Sequence, residues 1–73
     1  MFYQLNSNIK YLRKKNNYTA TQLADLLNIG RSQINNIECG YSKCSLNILI
    51  ELHNIFNISL DDLVFKDLSK ENN

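Results

Sequence analysis

Two glycines, Gly30 and Gly40, and no proline punctuate the 73 residues of the chain. A β-sandwich or barrel needs many tight reversals, for which so little Gly and Pro is a poor fit. Hydrophobic residues nonetheless make up 44% of the sequence, too many for a chain that stays disordered. Together these facts imply helices joined by short turns, an all-α fold. At this length there is room for one small core and for no deep substrate cleft, so a single domain is expected.

With glycine so scarce, helix boundaries must be set by other residues. Leu5, Ile9 and Leu12 recur at i, i+4 and i+7, with Lys10, Arg13, Lys14 and Lys15 mainly on other faces, which makes a first amphipathic helix with a basic outside. Asn16 and Asn17 close it, since Asn tolerates the left-handed conformation of a helix stop. Thr19, with Gln22 three residues on, forms a T-x-x-Q capping box that opens a second helix whose Leu23, Ala24 and Leu27 face inward. Asn28 ends that helix, Gly30 caps a third from Arg31 to about Cys39 with Ile34 and Ile37 inward, and Gly40 stops it. After a loop from Tyr41 to Cys44, Ser45 opens a fourth helix that runs to Asn57. Ser59 and Asp62 then cap a short fifth helix through Leu60, Leu63 and Val64. The domain is assigned to residues 1–68, and the polar stretch Ser69 to Asn73 is expected to be a frayed tail.

The net charge is only +1, but it is unevenly placed. Up to Cys44, Lys10, Arg13, Lys14, Lys15, Arg31 and Lys43 face only Asp25 and Glu38; beyond it Glu51, Asp61, Asp62, Asp67 and Glu71 outweigh Lys66 and Lys70. A basic front suits a polyanion and an acidic rear is turned away from it. No apolar run approaches the ~20 residues needed to cross a bilayer, and Met1 to Asn8 lacks the charged-then-apolar pattern of a signal peptide, so a cytoplasmic protein without membrane partners is expected.

The most informative stretch is TATQLADLLNIGRSQINNIECG, two short helices meeting at a tight turn. Leu23, Leu27, Ile29, Ile34 and Ile37 supply an apolar wedge between them, Ala24 is small where the helices pass closely, and Asn28 takes the left-handed turn position. Such a pair leaves the first turns of the third helix projecting outward, where a helix can enter the DNA major groove. This pattern resembles the XRE helix-turn-helix family, the phage Cro and repressor-like DNA-binding domains. The resemblance runs from about Ile9 to Leu63 and takes in Ile37-Glu38-Cys39-Gly40 at the end of the recognition helix. It also includes Ser45-Leu46-x-x-Leu49 opening the fourth helix and Ile58-Ser59-Leu60-Asp61-Asp62-Leu63 closing the domain.

The resemblance implies a compact five-helix, lambda repressor-like bundle with a central helix-turn-helix. It implies a sequence-specific regulator of transcription, a repressor that binds a palindromic operator in double-stranded DNA as a homodimer. Carried over by position, Arg31, Ser32 and Asn36 would read bases, with Gln33 and Asn35 beside them. Their chemistry agrees: Arg suits guanine, while Asn and Gln suit adenine. Arg13, Thr21, Lys43 and the backbone near Gly40 would meet phosphates. Ile48, Ile55, Val64 and Phe65, an apolar surplus in the C-terminal half, would pair two copies. The chain departs from the family at Ala20, where Gln often reaches a phosphate or an outer base, at Gly30, where Ser or Thr often caps the recognition helix, and at Cys44, where Pro often stiffens the loop.

Other functions are less well served. Cys39 and Cys44 with His53 give at most three soft ligands where a structural zinc site wants four, so plain thiols, a packed and hydrogen-bonded His53 and no metal are expected. No nucleophile stands paired with a base and no glycine loop cradles a phosphate, so neither an enzyme nor a cofactor or small-molecule ligand is implied. Asp61 and Asp62 meet the dipole at a helix start and need no catalytic explanation. The remaining alternative is an antitoxin or other protein-interaction module on the same fold. It would require an added segment to grip its partner, and only about ten residues follow Leu63.

Overall fold

A computed structural model describes residues 4–71, so residues 1–3 of the expected domain and residues 72–73 of the expected tail lie outside the described part. The chain forms α1 (Leu5–Lys15), α2 (Ala20–Leu27), α3 (Arg31–Cys39), α4 (Leu46–Phe56), α5 (Leu60–Phe65) and α6 (Leu68–Glu71).

Local chemistry draws these boundaries. Asn17, Asn28, Gly40 and Asn57 adopt left-handed φ of 63°, 58°, 84° and 53°, one after each of the first four helices. In each case the next N–H turns back to a carbonyl in the last turn: Tyr18 to Arg13, Ile29 to Ala24, Tyr41 to Asn36 and Ile58 to His53, at 2.9, 2.9, 2.8 and 3.3 Å. That is the geometry by which a helix end satisfies its orphan carbonyls, and three of the four left-handed residues are Asn where Gly is the commoner choice. The starts are equally explicit. Thr19 accepts from the Gln22 N–H while the Gln22 side chain accepts from the Thr19 N–H, a complete capping box. Ser45 and Ser59 accept from Ile48 and Asp62. The cap of α3, Gly30, offers no side-chain acceptor.

The helices bury one core: Ile9 and Leu12 of α1, Leu23, Ala24 and Leu27 of α2, Ile34 and Ile37 of α3, Ile48 and Leu52 of α4, Leu63 of α5 and Leu68 of α6. Each fully buried Leu or Ile contributes roughly 1.5–3 kcal/mol, so these eleven positions carry much of a small domain's cohesion. Tyr18 and Phe56 close one side with an edge-on ring contact, centroids 6.2 Å apart.

α6 is an addition to the five expected helices. An isolated leucine among KDLSKE has no periodic partner, so nothing local announces it. What fixes it is Asn8, a buried polar side chain of α1. Its Nδ2 donates to the Leu63 and Lys66 carbonyls at 2.8 and 2.6 Å, and its Oδ1 accepts from the Leu68 N–H at 3.2 Å. Ser69 and Lys70, expected to begin a frayed tail, instead continue this helical turn.

Candidate nucleic-acid interface

α2 and α3 meet through Asn28–Gly30. Ala24, almost wholly buried, lets the helices approach, and Ile29 packs against the core between them. α3 presents its other side outward. At 100° per residue, Ser32, Asn35, Asn36 and Cys39 point away from Ile34 and Ile37, with Arg31 on one flank and Gln33 on the other; all six are exposed. The five residues expected to read bases therefore share one wet surface. Gly30 leaves the first N–H groups of α3 without a side-chain acceptor, and these favour an anion at the helix start.

Thr21 is exposed in the first turn of α2, and Lys43 is exposed in the loop after α3. Gly40 is left-handed at the head of that loop. These positions suit the phosphate contacts expected of them. Ala20 is half-buried against the core, so the first position of α2 offers DNA no polar group.

Arg13 is the correction. Its Nε donates to Glu38 Oε2 at 2.7 Å, its Nη2 to Oε1 at 3.1 Å, and its Nη1 to the Tyr18 carbonyl at 3.1 Å. With the two side chains only 13% and 5% exposed, this fork ties α1 to the last turn of α3 and is withdrawn from any phosphate. Nothing near Arg13 in the sequence signals this, because its partner lies 25 residues away.

Two neighbouring residues escaped the sequence reading. Cys39 follows Ser32 and Asn36 at the i, i+4, i+7 spacing of one helix face, a register visible in the sequence. Tyr41 extends almost fully into solvent directly after Gly40.

The residues expected to pair two copies are unequally exposed. Ile48 is 7% exposed and belongs to the core, Ile55 and Val64 are half-buried, and Phe65 is 52% exposed. α4 carries two apolar stripes of similar strength, and the one containing Ile48, Leu52 and Ile55 turns inward. Leu46 and Ile50, 65% and 41% exposed, face outward instead. His53 shares their side and is also exposed rather than packed; its Nδ1–H donates to the Ile58 carbonyl across the helix end. Cys44 is half-buried, and burial pushes its thiol up to about 11. Among the described residues no three His, Cys, Asp or Glu side chains are grouped to hold a metal, and no helix is long and apolar enough to cross a membrane.

A helix-turn-helix with a polar, outward recognition helix is a DNA-binding architecture. The family model described as Helix-turn-helix matches residues 9–63. The HTH-type transcriptional regulator ImmR of Bacillus subtilis (strain 168) is 38% identical over 69 residues, covering 93% of this chain and 54% of the relative. AnsR of the same organism, also an HTH-type transcriptional regulator, is 37% identical over 60 residues, covering 82% of this chain and 52% of its own. Among solved structures, a transcriptional regulator from Listeria innocua superposes with a TM-score of 0.84 at 28% identity, covering 99% of this chain and 73% of that one. A chain of the SinR protein/SinI protein complex gives 0.73 at 23% identity, over 81% and 58%, a likeness of fold alone. The chain belongs to the XRE-type helix-turn-helix family. It spans about half the length of the curated relatives it matches.

Proposed function

We propose that the chain binds double-stranded operator DNA sequence-specifically and regulates transcription in the cytoplasm, acting by occupancy rather than catalysis, most simply as a repressor. The observation that carries this reading is the outer face of α3, where Arg31, Ser32, Gln33, Asn35 and Asn36 stand exposed on a helix whose opposite side is locked into the core. Arg31 pairs with guanine, the Asn and Gln side chains read adenine, and Thr21, Lys43 and the Gly40 region set the register on the backbone. Two copies related by a two-fold axis place two recognition helices about 34 Å apart on a palindrome. Phe65 is the centre of that pairing, with Ile55 and Val64 at its edge and Leu46 and Ile50 in place of Ile48. Selection of bound sequences from a random duplex library tests the reading. Recovery of a palindromic motif bears it out; a protein that retains no sequence above background sinks it.

A second reading rests on the same outward apolar side chains, Leu46 and Ile50 on α4 and Leu26 on α2. In it the domain grips another protein, as an antitoxin does, and one neighbour in fold is itself part of a SinR–SinI complex. Capture of a co-expressed protein by a chain that selects no DNA sequence would favour this alternative.

A further inference from the structure

We propose that Asn6 is a positioning residue for DNA binding: from the first turn of α1 it fixes the loop that presents Lys43 and the Gly40 backbone to phosphate. The inference rests on the DNA-binding reading above and concerns how one part of that interface is held.

The loop does not lie on packed core. A cleft of about 510 Å³ separates it from α1, lined by Leu5 and Asn6 on one side and by Gly40 to Cys44 on the other. Tyr41 and Lys43 are exposed, Ser42 is half-buried, and Cys44 packs against the core. Hydrogen bonds at the start of the loop must therefore do what packing does elsewhere. The Gly40 N–H donates to the Ile37 carbonyl at 3.1 Å, and the Tyr41 and Ser42 N–H groups both turn back to the Asn36 carbonyl at 2.8 and 3.3 Å. These bonds close the start of the loop onto the last turn of α3. Asn6 holds from α1 the helix end from which the loop departs, because its Nδ2 donates to the same Ile37 carbonyl that accepts the Gly40 N–H. Its side chain also runs alongside Gly40, where an added Cβ would sit 3.9 Å from Asn6 Cγ.

Arg13 and Glu38 hold the last turn of α3 from further along α1, through side chains. Asn6 is the contact that reaches the main chain at the point where helix becomes loop. Losing it leaves the core and the Arg13–Glu38 pair intact. The loop then swings over the cleft, and the cost falls on phosphate contact rather than base choice.

The test compares the wild type with Asn6→Ala, Lys43→Ala and the double variant, binding the selected duplex and an unrelated duplex across a salt series. Amide hydrogen exchange and circular dichroism are read on the protein without DNA. Asn6→Ala should keep wild-type helicity and exchange faster at Tyr41 and Ser42. It should lose about tenfold or less in affinity on both duplexes, as one net hydrogen bond allows, with a shallower salt dependence. In the Lys43→Ala background most of that loss should vanish, since both changes act through one contact. Asn6→Leu, similar in shape but without a donor, should behave like Asn6→Ala and guards against a variant that simply folds poorly. Additive losses, an altered base preference, or unchanged exchange at Tyr41 and Ser42 would overturn the proposal. Failure of the wild type to bind any duplex would instead defeat the functional reading on which it rests.

Discussion

Arg31 and Lys43 are both exposed cations, yet they stand on different supports. Arg31 is the first residue of a helix anchored in the core, whereas Lys43 rides on a loop above a cleft. Rigid placement suits bidentate recognition of a base, and a point charge on a loop suits phosphate. Arg31→Ala should therefore cost on the order of 1–3 kcal/mol on the preferred site and relax choice at one position. Lys43→Ala should weaken binding to all sequences alike and flatten its salt dependence, and equal sequence-blind losses from both would reduce Arg31 to a phosphate contact. The two thiols divide in a similar way. At pH 8 a thiol reagent should modify exposed Cys39 quickly and half-buried Cys44, pushed up to about 11, much more slowly. Folded Cys44 keeps, up to about pH 11, a proton that the unfolded chain releases in the ordinary thiol range. Stability should accordingly decline as pH rises towards 11, and Cys44→Ser should remove that part of the decline in chemical denaturation. The outer face of α3 was legible beforehand because helical periodicity is a local property. Arg13 was misread because its partner depends on how α1 crosses α3.

At the scale of elements, the recognition helix is held by its neighbours as much as by its own sequence. α3 has nine residues, too few to be stable alone, and its cap residue contributes no side chain. The Arg13–Glu38 fork supplies the missing constraint. Glu38→Ala leaves a largely buried guanidinium with only the Tyr18 carbonyl, and should destabilise the domain by about 3–5 kcal/mol in urea or thermal unfolding. A loss under 1 kcal/mol would show that water takes over the partner's place. Helix starts and stops could be read from the sequence almost residue by residue, since Thr19, Ser45, Ser59 and the three left-handed Asn act on backbone groups beside them. The inward side of α4 could not, because its two apolar stripes are of comparable strength and only contact with the other helices chooses between them. α6 was invisible for the same reason, since its anchor, Asn8, is 60 residues away from Leu68 in the chain.

For the whole molecule, the burial of Ile48 and the exposure of Phe65 separate folding from assembly. Phe65→Asp should give a folded monomer in sedimentation and circular dichroism that binds a half-site weakly and loses cooperative binding to a palindrome. Ile48→Asp places a charge in the core and should abolish folding instead of dimerisation. A wild type that stays monomeric at tens of micromolar, with or without DNA, would argue against pairing through this face. The main-chain bond from the Gln4 N–H to the Val64 carbonyl, 2.7 Å long, bears on a different matter. It sets the beginning of the first helix against the end of the fifth, so the bundle closes on a bond between distant parts of the chain. A fold closed in this way is complete only when its first and fifth helices have met, so it should unfold in a single transition rather than helix by helix.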